Sequence, residues 1–358
     1  ISRGAVEPEV EYDLKLEKYE KMEPIAAIFV LGRKSGEGSD RRAIKGDLYL
    51  TDSEIRDILY LNEKYEKFLL VLNVPGVVDI SPITKKVKNI FLLSQLGSVT
   101  GDILAKVILG KENPSGKLAA SWAEASKYYY KYEYDYDSED IDNTRYNEGV
   151  YVGYRYFDSS EDEALFPFGY GLSYSNFSIE KLLITNLKSK INISVKITNI
   201  GKYPGKEVVQ VYVSPSQENK DKPYQMLVAF KKTKKIEVGQ EETMILNFNV
   251  EDCVRYDEKQ SSYVLDKGEY IIRVGNSSKN TKVYGIINLD QNIIIKTVQN
   301  IGDGYQKELF SEYSPYVKYN DDLQNVEKIN LNISDFTYNI TVNYTYMFEI
   351  YDALKTEL

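Results

Sequence analysis

Residues 25–31, IAAIFVL, form an unbroken apolar run between a Glu-Pro pair and Gly32. A run without polar alternation predicts a strand buried on both faces, as in a parallel sheet. After a polar stretch, Thr51 stands three residues before Glu54, the spacing of a capping box at a helix start. Ile55, Ile58, Leu59 and Tyr65 then recur at helical intervals. Residues 68–72 predict a second buried strand, ended by a loop with Pro75 and Gly76, and IFLLSQL at 90–96 predicts a third. A helical pattern runs from Val99 to Leu109, with Gly110 placed as a C-terminal cap. Strand, helix, strand, short helix, strand, helix is the order of a doubly wound α/β fold. Ligands of such sheets sit in loops beyond the carboxyl ends of the strands.

The pattern changes after about residue 180. KINISVKITNIG, KEVVQVYVSPS, ETMILNFNV, SYVLDKG and EYIIRVGNS alternate apolar and polar residues between Gly, Pro, Asn and Asp. Several short alternating strands over about 100 residues predict an immunoglobulin- or fibronectin III-type β-sandwich. The expected fold class is therefore α/β plus all-β. A partial doubly wound domain spans 1–170, loop-rich over 118–170, a fibronectin III-like sandwich spans 171–288, and 289–358 reads as a linker. Within the loop-rich part, KYYYKYEYDYDSED reads as a variable surface segment of biased composition.

Composition narrows the chemistry. Hydrophobic residues make up 42% of the 358, enough for a sizeable core, and no run approaches 18 apolar residues, so no membrane-spanning segment is expected. The net charge of −9 comes without a basic stripe, which argues against a nucleic-acid partner. Cys253 is the one cysteine, so no internal disulfide or Cys-based zinc site can form, and it reads as a buried apolar residue. There is no histidine. A Ser-His-Asp triad, a Cys-His pair and a His-ligated metal are excluded within the chain. The expected chemistry runs on carboxylates, with no metal and no cofactor.

The first strand leads directly into GRKSGEGSDRR, residues 32–42. Gly36 and Gly38 flank Glu37 and let the backbone turn sharply, presenting a carboxylate at the strand's carboxyl end. Arg33, Lys34, Ser35, Asp40 and Arg41 surround it. By itself, a Glu in such a loop reads as a solvated surface residue or an ion pair with Arg41 rather than as a catalytic group.

The order of further motifs changes that reading. SGEGSDR is followed by LNVPG, NPSGKL at 113–118, YNEGVYVGYRYFD at 146–158 and FPFGYGLSYSNF at 166–177. NIGKYPGKEVVQVYV at 199–213 and GEYIIRVGNSS at 268–278 continue the series. Together they resemble glycoside hydrolase family 3 over most of residues 25–285. The resemblance implies a retaining exo-β-glycosidase, β-glucosidase-like, whose α/β domain presents a loop Glu over a (β/α)8 barrel. Glu37 matches that general acid/base by motif. The nucleophile implied is an Asp on the barrel, which this sequence does not contain, so the chain alone is expected to be inactive. Arg33, Ser35, Asp40 and Arg41 are expected to bind substrate or to shape the loop. The branch acting on N-acetylglucosaminides takes its acid/base from a barrel Asp-His pair, and the SGEGSDR loop argues against it.

Where many members carry a Gly-Gln-Glu-type segment, this chain reads QLGSVTGDILAKVILG at 95–110. With KLAASWAEA at 117–125, this resembles permuted members, common among clostridial-type bacteria, in which the barrel follows the sandwich. INLNISDFTYNITVNYT and YDALKTEL resemble the connector into such a barrel. The chain is thus expected to be an internal fragment, N-terminally truncated, with 289–358 leading towards the barrel. Its expected partners are a carbohydrate substrate and that barrel, and its expected location is cytoplasmic. The competing reading is a non-catalytic carbohydrate-binding or scaffold module.

Overall fold

The computed structural model describes residues 25–34, 41–128, 149–216, 222–298 and 323–336. These fall into two compact units. The first holds the described residues up to Glu112 together with Trp122–Tyr128 and Ala164–Phe166. The second holds Asn113–Ser121, the described residues from Gly149 to Glu163, and those from Pro167 onward.

The first unit is built on three parallel strands, β1 (Ala26–Gly32), β2 (Lys67–Asn73) and β3 (Ile90–Leu92), in the order β1-β2-β3. Helix α1 (Asp52–Lys64) joins the first two, and its capping box forms as the Thr51/Glu54 spacing predicts. Glu54 N donates to Thr51 Oγ1 at 3.1 Å while Thr51 N donates to Glu54 Oε2 at 2.9 Å. Each bond satisfies an amide that the first helical turn leaves without a partner. The four-residue helix α2 (Ser81–Thr84) precedes β3, and α3 (Thr100–Ile108) follows it. Gly110 ends α3 with φ +67°.

Two expectations change here. The central strand β2 is largely buried, but β1 is an edge strand whose Ile28 and Val30 remain 47% and 53% exposed. That face of β1 is about half covered by the described residues. The third strand stops at Leu92 rather than residue 96, because Ser94 turns the chain with φ +58°.

The second unit is a β-sandwich. One sheet has the order β4 (Phe177–Leu187), β5 (Lys190–Asn199), β8 (Glu241–Asn249). The other runs β14 (Lys328–Leu331), β12 (Asn280–Leu289), β11 (Gly268–Ser277), β6 (Val208–Ser214), β7 (Met226–Lys232). Ile191, Ile193, Val195 and Ile197 of β5 meet Val209, Val211, Ile272 and Ile287 of the facing sheet in one core. Cys253 is buried there, and burial raises the pKa of its thiol. A small third sheet pairs β13 (Ile293–Thr297), β10 (Ser262–Leu265) and β9 (Arg255–Asp257). Residues 293–297 and 328–331, expected within a linker, are thus strands, the former in the small third sheet and the latter at the edge of the five-stranded sheet, parallel to β12.

β6 departs from the alternation expected of it, being buried on both faces. Its outer face is covered by segments that the sequence reading placed with the α/β part. Helix α4 (Tyr154–Ser159) stacks Tyr154 on Phe168 at 4.5 Å and sets its edge against Tyr212 at 6.1 Å. Gly169 takes φ +77°, and a Cβ there would collide with Gln210, whose Nε2 donates to the Gly169 carbonyl at 3.1 Å. The FPFGYG and YVGYRYFD motifs are therefore packing motifs of the sandwich. Lys117, from NPSGKL, joins them through an ion pair to Glu207 at 2.8 Å and a bond to the Gly171 carbonyl.

Candidate active site

The carboxyl ends of the three parallel strands converge on the two ends of the Gly-rich segment. Ser35, Glu37 and Asp40 lie outside the described residues, and the segment's flanks, Arg33 and Arg41, are both in place. Arg33 continues β1, its amide donating to Asn73 O at 3.2 Å. Its side chain is almost fully buried, and a guanidinium carries five N–H donors. All five are engaged. Nε donates to Asp47 O at 3.0 Å, Nη1 to Gly32 O and Glu54 Oε1, and Nη2 to Glu54 Oε2 and, at 3.4 Å, to Tyr49 O.

Arg41, on the far flank, is half-buried and makes three side-chain bonds of its own. Nε donates to Asp47 Oδ1 at 2.8 Å, Nη2 to Asp47 O at 2.8 Å and Nη1 to Val77 O at 2.5 Å. Val77 follows the VPG turn (residues 74–76) that leaves β2, so the arginine ties its flank to the second strand's exit. From the exit of β3, Gln95 Nε2 donates to Arg33 O at 3.0 Å. All three strand exits therefore meet the flanks. Lys34 is exposed.

Sequence reasoning singled out Arg33 and Arg41 but missed the groups that hold them. Glu54 was assigned only to the helix cap, yet the same carboxylate accepts from Thr51 N and pairs with Arg33. Asp47 lies in the stretch read only as polar, and in the structure it follows Gly46, which turns the chain with φ +86°. Behind it, Asp79 N donates to Leu48 O at 2.8 Å. The Asp79 carboxylate accepts from Ser81 N and Ala125 N, both at 2.9 Å. Among the described residues no group of three or more acidic or thiol side chains could hold a metal ion. No described helix is long and apolar enough to cross a membrane.

An α/β unit with an anchored loop at its strand exits and a β-sandwich matches known families in both parts. Residues 17–174 match the glycosyl hydrolase family 3 C-terminal domain, and residues 207–278 match the fibronectin type III-like domain. The chain belongs to glycoside hydrolase family 3, represented by these two domains. It is 34% identical over 321 residues to β-glucosidase A of Butyrivibrio fibrisolvens, covering 76% of this chain and 38% of that protein. Among solved structures, β-glucosidase 3B from Thermotoga neapolitana, in complex with α-D-glucose, superposes with a TM-score of 0.70 at 34% identity. That match covers 77% of this chain and 39% of the other. A β-glucosidase from Paenibacillus barengoltzii gives 0.72 at 29% identity, covering 77% of this chain and 32% of that one. The chain thus spans well under half the length of these relatives.

Proposed function

We propose that this chain supplies the general acid/base of a retaining exo-β-glycosidase, with Glu37 as the proton-transferring group and the nucleophilic carboxylate on a barrel outside this sequence. The observation that carries the reading is the anchoring of both flanks of the SGEGSD segment at the carboxyl ends of three parallel strands. Fixed flanks are what a loop carrying a proton donor to a bound sugar requires.

The reaction follows by double displacement. The barrel carboxylate attacks the anomeric carbon while Glu37 gives its proton to the departing oxygen, leaving a glycosyl-enzyme ester and a free aglycone. Glu37, now ionised, takes a proton from water as that water attacks the same carbon, releasing the sugar and restoring both carboxyl groups. Retention requires the two groups roughly 5–5.5 Å apart. The first step needs Glu37 protonated near neutrality, so nearby cations must be compensated. Arg33 is compensated by Glu54 and Arg41 by Asp47, which supports an acid role between them. Arg33 and Arg41 act as loop-shaping residues in this reading, because all five Arg33 donors and three bonds from Arg41 go to the protein itself. The sugar is β-linked glucose or a close relative, by analogy with what the relatives' names state.

The test uses the full-length protein carrying this chain. Glu37→Ala is expected to abolish turnover of β-glycosides with poor leaving groups and largely to spare the glycosylation step with a good one such as dinitrophenolate. Equal retention of both activities contradicts the assignment. The chain by itself is expected to give no hydrolysis of an aryl β-glucoside, and measurable turnover would show that the nucleophile lies within it.

A further inference from the structure

We infer that the exposed end of β7 and the residues following it form a docking surface for an acidic, uronate-bearing polysaccharide. The surface lies within the sandwich and needs no part of the Gly-rich segment. β7 is the edge strand of the five-stranded sheet, and it runs out into Lys231, Lys232, Thr233, Lys234 and Lys235. These lysines are exposed, while Thr233 is buried. The fold adds Lys206, also exposed, from the chain entering β6. Thr233 N donates to Glu207 O at 2.9 Å and Ile236 N to Gly205 O at 2.8 Å, so Lys206 stands across the ladder from Lys234 and Lys235. Lysines from two neighbouring strands thus gather on one corner of a chain whose net charge is −9.

The nearby carboxylates do not cancel them. Glu207 is buried and held by Lys117 Nζ at 2.8 Å, by the Val208 amide at 2.7 Å and by Asn276 Nδ2 at 3.0 Å. Glu242 Oε2 accepts from the Lys234 amide at 2.8 Å, and Glu241 faces Lys196. Glu237, at the following turn, is outnumbered. Among the described residues Lys206, Lys232, Lys234 and Lys235 form no ion pair. Partial burial, with Lys206 and Lys117 close by, lowers the pKa of Lys232. An anion relieves such crowding of like charges, and a surface of one sign attracts a polyanion.

An aromatic ring and an amide beside the lysines favour a sugar polymer among polyanions. Phe230 is 68% exposed. It pairs with Gln210 as Lys232 pairs with Val208, without a bulge between. Residues two apart on a strand share a face, so ring and ammonium stand side by side. The ring offers an apolar surface to the C–H face of a pyranose, and the ammonium complements the carboxylate a uronate carries. Phe230 also lines an open groove with Leu227, Val228, Ala229 and Asn247. Asn247 is exposed on β8, and its amide offers both donors and an acceptor to sugar hydroxyls.

The test is calorimetric titration of the full-length protein carrying this chain with polygalacturonate, its fully methyl-esterified form and duplex DNA. Polygalacturonate is expected to bind at low salt and to lose affinity as salt rises, while the ester does not bind. Lys206→Gln combined with Lys232→Gln should weaken binding about tenfold, and Phe230→Ala about threefold. Lys259→Gln combined with Lys282→Gln makes the same change of charge at exposed positions outside this corner and is expected to bind as wild type does. Turnover of a small aryl β-glucoside should be equal in all of these, so the outcome stands apart from that of Glu37→Ala. No binding by the wild type, or equal weakening by the two lysine pairs, overturns the docking surface. Binding of the ester as tight as that of the acid overturns the role of charge. Duplex DNA bound as tightly as polygalacturonate, with Phe230→Ala without effect, overturns the sugar assignment.

Discussion

The Arg33 guanidinium and the Glu54 carboxylate meet end to end, Nη1 2.7 Å from Oε1 and Nη2 2.8 Å from Oε2. The pair joins the exit of β1 to the first turn of α1, so the strand that leads into the Gly-rich segment cannot move without the helix. Removing one partner of such a pair strands the other charge in a low-dielectric site. Glu54→Gln preserves an oxygen for the helix cap but leaves the Arg33 charge unmatched. A loss of about 3 kcal/mol is expected, against about 1 kcal/mol for Thr51→Ala, which removes only a cap. Urea unfolding of the two variants ranks them, and a wild-type midpoint for Glu54→Gln contradicts the anchoring.

Asp266 is buried in the sandwich against Lys222 and Arg255, with Arg255 Nε 2.8 Å from its Oδ2 and Nη2 3.0 Å from its Oδ1. Burial would raise the pKa of this carboxyl, but the bonds and charges of Arg255 and Lys222 outweigh it and hold the group below its ordinary 3.8. A lowered acid stabilises the fold at pH above the unfolded value, and that stability is lost as pH falls through the folded one. Asp266→Asn is therefore expected to cost about 3 kcal/mol at neutral pH. The gap to wild type should close below pH 3.8. Thermal unfolding across that range checks it, and a pH-independent gap would contradict the charge argument.

Asp158 of α4 shows the opposite sign. Its carboxylate accepts from Gln225 Nε2 at 2.8 Å and Ser278 Oγ at 3.3 Å and pairs with Lys279. Burial nevertheless dominates and lifts the group above 3.8. A raised acid contributes stability that is complete below the unfolded value and fades as pH rises through the folded one. Comparing wild type with Asp158→Asn, the balance should move in the variant's favour as pH climbs from 3.8. A difference that stays flat, or moves the other way, would contradict the dominance of burial.

Local signals were legible. The capping box of α1 and the glycine ending α3 involve residues within one turn, so spacing alone carries them. The Gly-rich segment was legible as a strand exit for the same reason. Burial was less so, because it depends on what lies across the sheet. β1 reads as apolar as β2, yet among the described strands it lies at the edge with Ile28 and Val30 half-exposed. β6 owes its second buried face to α4 and the 166–171 motif, far from it in sequence. Leu331 of β14 pairs with Leu289 of β12, a partnership no local pattern announces. At the candidate site the arginines were legible, whereas Asp47 and Glu54 matter through bonds to groups up to 21 residues away.

The most direct measurement of the proton-transfer role is chemical rescue. In full-length Glu37→Ala, the glycosyl-enzyme formed from a dinitrophenyl β-glycoside has no base to activate water, so hydrolysis stalls. Azide needs no base, and it should attack the ester to release a β-glycosyl azide and restore turnover. Rescue with that product of retained configuration is the predicted result. Absence of rescue in a folded variant, or an α-configured azide, would remove Glu37 from the acid/base position.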